Sequence, residues 1–334
     1  MSTKVSKTVL ITGGNGALGS QIAFAIAKAH PDVFFILTAR RDNDVQAQKI
    51  STQLHNQGVT AFEFLTLDLG RFASVKTFAA KVTEKVRSGN IPPIAVQVNS
   101  AAYSSYIVDE KTQDGFDPVY QTNVLSSFLL TTLLLKGAFQ MEKGKPRGKV
   151  INITSETVTL GKADFFDTWG PTEKNPIGSH LSIMQGLTRY GSSKLIGDIA
   201  MYTLKEKMLK AGVNSVNIFS LDPGGMNSNS NLSRGSMPTA LQVSATILSF
   251  LGPIVRCFQK SLINHPRVPA AAVAQAAFDA STEGGAKEVY YVLDDEIGLK
   301  RISKAMEEHK DKVLEQVLRD TGITLEQLLV WPEK

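Results

Sequence analysis

Short apolar runs rich in β-branched and aromatic residues alternate with longer helical stretches, and that alternation constrains the chain most. The strand candidates are Thr8–Thr12, Val33–Ala39, Ala61–Leu67, Ile94–Asn99, Lys149–Thr154, Ser215–Leu221 and Glu288–Leu293. They are nearly continuous in apolar character, as strands buried on both faces of a parallel sheet must be. Helical stretches fall near 17–29, 44–57, 72–88, 114–140 and 188–211. This rotation of strand and helix predicts an α/β fold. Its core is a doubly wound, mainly parallel seven-stranded sheet with helices on both faces.

Two segments interrupt the rhythm. Residues 156–187 carry Gly161, Gly170-Pro171, Pro176 and Gly178 and read as a long insertion of the kind that is functional or mobile. Residues 224–267 hold the apolar stretch Ala240–Val255, broken at Gly252-Pro253, and read as a substrate-loop segment. A helical extension over 297–334 closes the chain. No linker rich in Pro, Gly or Ser divides it, so residues 1–334 are expected to form one domain.

Composition narrows the function. With 43% hydrophobic and 20% charged residues, the 334-residue chain has ample material for a core and does not resemble a disordered one. Its single cysteine, Cys257, permits no internal disulfide and no thiolate metal cluster. The histidines (30, 55, 180, 265 and 309) show no metal-ligand spacing, so no metal is expected. His30, before Pro31, reads as a helix C-terminal cap. The net charge of +5 is scattered, and Lys143-Gly144-Lys145-Pro146-Arg147 reads as a solvated loop. That excludes the basic stripe expected of a nucleic-acid binder. The N-terminus shows no secretory signal and no run of about 18 apolar residues occurs, so a soluble cytoplasmic protein is expected. Ala240–Val255 is favoured as a substrate-loop helix over peripheral attachment to an intracellular membrane.

The first strand runs into Thr12-Gly13-Gly14-Asn15-Gly16-Ala17-Leu18-Gly19 and then an apolar helix. Glycines at 13, 16 and 19 suit a tight turn, close approach of backbone to a pyrophosphate, and close packing of helix on strand. The helix start offers N–H groups and the positive end of its dipole to the anion. Placed after the first strand and before a helix, the triplet favours a Rossmann-type nucleotide site over an ordinary strand-to-helix turn. The second strand ends Leu37-Thr38-Ala39-Arg40-Arg41, with no acid for a ribose 2′-OH and two guanidiniums suited to a 2′-phosphate. NADP(H) is therefore the expected cofactor.

Tyr190 and Lys194 lie four residues apart on the last long helix and share one face. An ammonium beside a phenol favours the phenolate, which would make Tyr190 a usable acid–base group near neutral pH.

With this pair, the chain resembles the short-chain dehydrogenase/reductase family over about residues 7–230. Residues 12–19 resemble its cofactor turn, Asp68-Leu69 its adenine-side acid, and Asn99-Ser100-Ala101-Ala102 the stretch after its fourth strand. Asn123, Thr154-Ser155, Tyr190 with Lys194, and Pro223-Gly224 complete its motifs in order. The layout is similar to the retinol dehydrogenase and 3-ketosteroid reductase branch. The resemblance implies that Tyr190 protonates a carbonyl oxygen held by Ser155. Lys194 would tune Tyr190 and hold the nicotinamide ribose, and Asn123 would keep a relay water. Asp68 would contact the adenine, while residues after Gly224, including Ser228, would line the nicotinamide side. The family also forms homodimers through the helices near 114–140 and 188–211, a face that a long C-terminal extension can block.

Three departures stand out: Ala17 and Ala102 where the family has glycine, Ser100 where it has asparagine, and a 35-residue step from Ser155 to Tyr190. Phe165, Phe166 and Trp169 in the insertion suit either the wall of an apolar pocket or a staple of the loop to the body. The expected activity is NADPH-dependent reduction of a ketone or aldehyde on a bulky lipophilic substrate of sterol, retinoid-like or polyketide type. Alcohol oxidation with NAD(P) and a non-catalytic NADP-binding sensor or scaffold are the alternatives.

Overall fold

The computed structural model describes residues 5–139, 148–164, 171–172, 174–226, 264–279, 289–292, 295–298 and 303–329. Cys257, Ser228, Phe165, Phe166, Trp169, Ala240–Val255 and the 143–147 cluster lie outside them.

The first half follows the expected rotation: β1 (Lys7–Ile11), α1 (Ala17–Ala29), β2 (Val33–Ala39), α2 (Val45–Asn56), β3 (Phe62–Thr66), α3 (Phe72–Arg87) and β4 (Ile94–Asn99). Next comes α4, which starts as Pro118–Tyr120, widens into a π-turn over Gln121–Leu125 and continues as Ser126–Gly137. Proline at its first position, behind the Asp117 cap, moves its start later than residue 114. After β5 (Gly148–Ile153) and a 3-10 turn (Glu156–Leu160) comes α5 (Ile183–Lys210). A reciprocal cap between Ser182 and Gln185 starts α5 five residues before the expected 188. The remaining elements are β6 (Val216–Asp222), α6 (Arg267–Phe278), β7 (Val289–Val292), β8 (Asp295–Gly298), α7 (Ser303–Thr321) and α8 (Leu325–Leu329).

The sheet has eight strands in the order β3-β2-β1-β4-β5-β6-β7-β8. The seven expected strands run parallel, and β8 pairs antiparallel with β7 at the edge. That hairpin strand takes up residues 295–298, so the C-terminal helices begin at Ser303 instead of near 297. Sheet residues alternate between two cores, which is why the strands read as unbroken apolar runs. Leu10 and Ile36 face α3, α4, α5 and α7 through Phe78, Phe128, Ile199 and Val317. Val9, Ile11 and Phe35 face α1, α2 and α6 through Ile22, Ile50 and Val273.

Strand order reverses between β1 and its two neighbours, β2 and β4. The crevice at the C-terminal ends of these strands is the usual ligand position in open α/β sheets. The described part of the insertion lies against the chain after β4: Gly178 N donates to Val108 O at 2.9 Å and Leu181 N to Tyr106 O at 2.8 Å. His30 is the C-cap residue of α1, and its ring stacks on Phe278 at 3.8 Å.

Candidate active site

The β1–α1 turn has the shape expected of a phosphate cradle. Gly13 has φ +66°, and a Cβ there would come within 3.1 Å of the Ala101 backbone. A Cβ on Gly19 would lie 2.4 Å from Gly13 O, so the helix can approach the turn only as glycine. Gly16 is the N-cap of α1 and places no side chain over its first N–H groups. Ala17 opens that helix in ordinary helical backbone, so its methyl is accommodated there. Thr38 Oγ1 accepts from Gly13 N, and Thr12 Oγ1 from Ala101 N, both at 3.0 Å. The turn is thereby tied to β2 and to the chain after β4. These residues fit the pyrophosphate of a dinucleotide.

Around the turn, Arg40 and Arg41 are exposed just past β2 and make no ion pair among the described residues. Asp68, after β3, is half-buried, and its Oδ1 accepts from Gly70 N at 3.0 Å. Leu69 beside it is buried. Asn99 differs from its neighbours. Its Nδ2 donates inward to Asn152 Oδ1 at 2.8 Å, and its Oδ1 accepts from Gln97 Nε2 at 2.9 Å, cross-linking β4 and β5. Pro223 and Gly224 (φ +66°) turn the chain away from β6, and Gly224 N donates to Asp222 Oδ1 at 2.9 Å. Met226 pairs with Asn264, and Ser228 lies outside the described residues.

Ser155, Tyr190, Lys194 and Asn123 come from three elements. Ser155 caps the 3-10 turn after β5, and its Oγ accepts from Thr157 Oγ1 at 3.0 Å. Lys194 is buried on α5 and donates from Nζ to Ile153 O at 2.7 Å, with Nζ 5.6 Å from the Tyr190 ring centre. Asn123 sits in the π-turn. Its Nδ2 donates to Tyr103 O at 2.8 Å and to Ser193 Oγ at 2.9 Å.

The electrostatics of the pair differ from the sequence expectation. Burial pushes the Tyr190 phenol up, and Asp222, Tyr106 and Asp198 push it further the same way. Lys194 donates to Ile153 O with its Nζ 5.6 Å from the Tyr190 ring centre, and the groups that shift the phenol do not include it. Burial itself lowers Lys194 to about 8, against the opposing pull of Asp198 and Asp222.

Sequence reasoning missed Asp198, Asp222 and Arg189. Asp198 repeats the four-residue spacing of Tyr190 and Lys194, a signal that was available. Arg189 directly precedes Tyr190, and nothing in the linear sequence shows that it is buried.

A family model described as short chain dehydrogenase matches residues 7–165. The chain is 27% identical over 328 residues to the short-chain dehydrogenase iccH of Talaromyces variabilis, covering 87% of this chain and 88% of that one. Over residues 7–165 the chain matches the short-chain dehydrogenase/reductase family. Retinol dehydrogenase 13 of Mus musculus is 31% identical over 166 residues, 50% of this chain and 46% of its own. Polyprenol dehydrogenase of Danio rerio is 30% identical over 220 residues, 65% and 61% respectively. The chain thus spans less than two thirds of these two relatives. Among solved structures, an actinorhodin polyketide ketoreductase variant with NADPH superposes with a TM-score of 0.58 at 19% identity, covering 88% of this chain and 98% of that one. This is a likeness of fold. The family match and these relatives support an oxidoreductase acting between alcohol and carbonyl groups with a nicotinamide cofactor. No described helix is long and apolar enough to cross a membrane.

Proposed function

We propose that this protein is an NADPH-dependent reductase of a ketone or aldehyde carried on a bulky lipophilic molecule. The reading is supported by Lys194, which holds Ile153 O two residues before Ser155 and keeps its Nζ 5.6 Å from the Tyr190 ring centre, and by the glycine turn Thr12–Gly19, which Thr12 Oγ1 ties to Ala101 after β4. The turn and the start of α1 would hold the pyrophosphate, and Arg40 and Arg41 the 2′-phosphate. Asp68 and Leu69 would face the adenine, and Pro223, Gly224 and Ser228 the nicotinamide side. Bound there, the cofactor supplies the hydride.

The chain's own groups do the rest. Ser155 Oγ donates a hydrogen bond to the substrate oxygen and fixes its position. Tyr190 Oη gives that oxygen a proton, and a phenol held above its ordinary range stays protonated and ready to do so. Lys194, whose Nζ lies 5.6 Å from the Tyr190 ring centre, would hold a ribose hydroxyl of the cofactor. The lipophilic substrate class is supported by the relatives named for retinol and polyprenol. A cytoplasmic location belongs to the same reading.

The test follows loss of reduced-nicotinamide absorbance against a panel of sterol, retinal-type and polyketide-type ketones, with NADH and Tyr190→Phe in parallel. Turnover with NADPH that disappears in Tyr190→Phe is the expected result. Tight NADPH binding with no turnover on any carbonyl would overturn it in favour of a binding protein.

A further inference from the structure

Asp198 is a buried carboxylate that the reduction of a carbonyl does not itself use. It lies one helical turn past Lys194 on the buried face of α5, where residues four apart are neighbours. Its Oδ2 accepts from Thr154 Oγ1 and its Oδ1 from Ser220 Oγ, both at 2.6 Å. Each carboxylate oxygen therefore has a hydroxyl donor, one just past β5 and one from β6. A carboxylate satisfied in this way holds its charge despite burial.

The placement ties it to the site. Lys194 holds the carbonyl of Ile153, Asp198 the hydroxyl of Thr154, and Ser155 follows directly. Two consecutive residues at the end of β5, directly before Ser155, are thus fixed by one face of α5. Lys194 and Asp198 also wall the same internal cavity of about 20 Å³, which has room for roughly one water. Asn152, whose Nδ2 has no partner among the described residues, is another wall.

Building on the proposed function, we propose that Asp198 is the buried counter-charge that keeps Lys194 protonated, and hence a positioning residue for the catalytic pair. An ammonium removed from water loses its proton readily unless an anion is close. The charged and titratable groups facing Lys194 are Asp198 and Tyr190 from α5 and Asp222 from β6. Of the two acids, Asp198 acts on Lys194 more strongly. Burial raises Asp198 itself to about 6, with Ser220, Thr154 and Lys194 pulling it back, so it is charged at neutral pH.

The test is a titration of lysine side chains by NMR in the whole protein, with Lys194→Met identifying the Lys194 signal. In Asp198→Asn the Lys194 midpoint is expected to fall from about 8 by on the order of one pH unit. Linkage is reciprocal, so in Lys194→Met the Asp198 carboxyl midpoint is expected to rise from about 6 by a similar amount. This second variant serves if Asp198→Asn does not fold. A purely structural Asp198 would cost stability and leave both midpoints within about 0.3 unit of wild type, which would overturn the proposal. The alkaline limb of kcat/KM in Asp198→Asn should move down with the lysine. If the midpoints shift but no carbonyl is reduced with either nicotinamide cofactor, the reaction assignment fails and the charge pair stands.

Discussion

Arg189, the residue before Tyr190, forms a buried ion pair with Asp117, the N-cap of α4. Its other guanidinium contacts are Ile107 O at 2.9 Å and Asp109 Oδ2 at 3.3 Å. Asp117 Oδ1 in turn accepts from Val119 N at 2.9 Å and Tyr120 N at 3.1 Å. One side chain therefore holds the start of α4, the chain after β4 and the helix carrying Tyr190 in a single arrangement.

Removing that guanidinium leaves Asp117 buried without its partner, a change that typically costs about 3–5 kcal/mol. Arg189→Met is expected to lower unfolding stability by about that amount, measured by urea denaturation. It should also lower kcat by misplacing Tyr190. Arg189→Lys should recover little, because a single ammonium cannot reach Asp117, Asp109 and Ile107 O together.

The low pKa of Lys194 sets an alkaline limit. Burial brings the ammonium down to about 8, so the proton is present below that pH and lost above it. Wild-type kcat/KM is therefore expected to fall as pH rises through about 8, and this limb belongs to Lys194 because Tyr190 is pushed the other way. Lys194→Arg keeps its charge at alkaline pH. A pH–rate profile of that variant should show reduced activity with the limb removed.

Cofactor choice is tested at two positions that act by different physics. Gly13→Ala adds a Cβ at φ +66° and 3.1 Å from the Ala101 backbone, so it should weaken NADPH and NADH alike and reduce stability by about 1–2 kcal/mol. Arg40→Ala should weaken NADPH alone. A charged hydrogen bond of about 1.5–3 kcal/mol corresponds to roughly a 10- to 100-fold loss in affinity. Fluorescence titration of both cofactors against both variants separates the two effects.

The strands and the phosphate turn were legible in the sequence because their signals are local. Continuous apolar runs mark two-sided burial, and Gly13 and Gly19 stand where a Cβ would strike backbone. Tyr190 and Lys194 were legible for the same reason, since a four-residue spacing fixes a shared helix face. Their electrostatics were not legible. The direction of Lys194 depends on Ile153 O, 41 residues away, and the state of Tyr190 depends on Asp222 at the end of another strand. The antiparallel β8 was missed because four residues on a sheet edge bear no period that separates them from the start of a helix. Asn99 showed the reverse problem: a motif position was visible, while its side chain is committed to an interior network with Gln97, Thr131 and Asn152.

Helix α7 lies on α5 and α4, the two helices whose face the family uses for dimers and a long C-terminal extension can block. Met306, Val313, Leu314 and Val317 are buried in the core shared with those helices. Polar contacts at both ends fix α7 in place: Tyr120 Oη donates to Asp320 Oδ2 at 2.9 Å, and Lys310 pairs with Glu206 at 3.1 Å. A second copy cannot use that face while α7 covers it, so the full chain is expected to be monomeric through this surface in light scattering. Val313→Asp with Val317→Asp puts two unpaired charges into the contact and should detach the helix. The exposed apolar faces of α4 and α5 would then drive self-association or precipitation. A full-length dimer that survives this double substitution unchanged would show that the copies meet elsewhere.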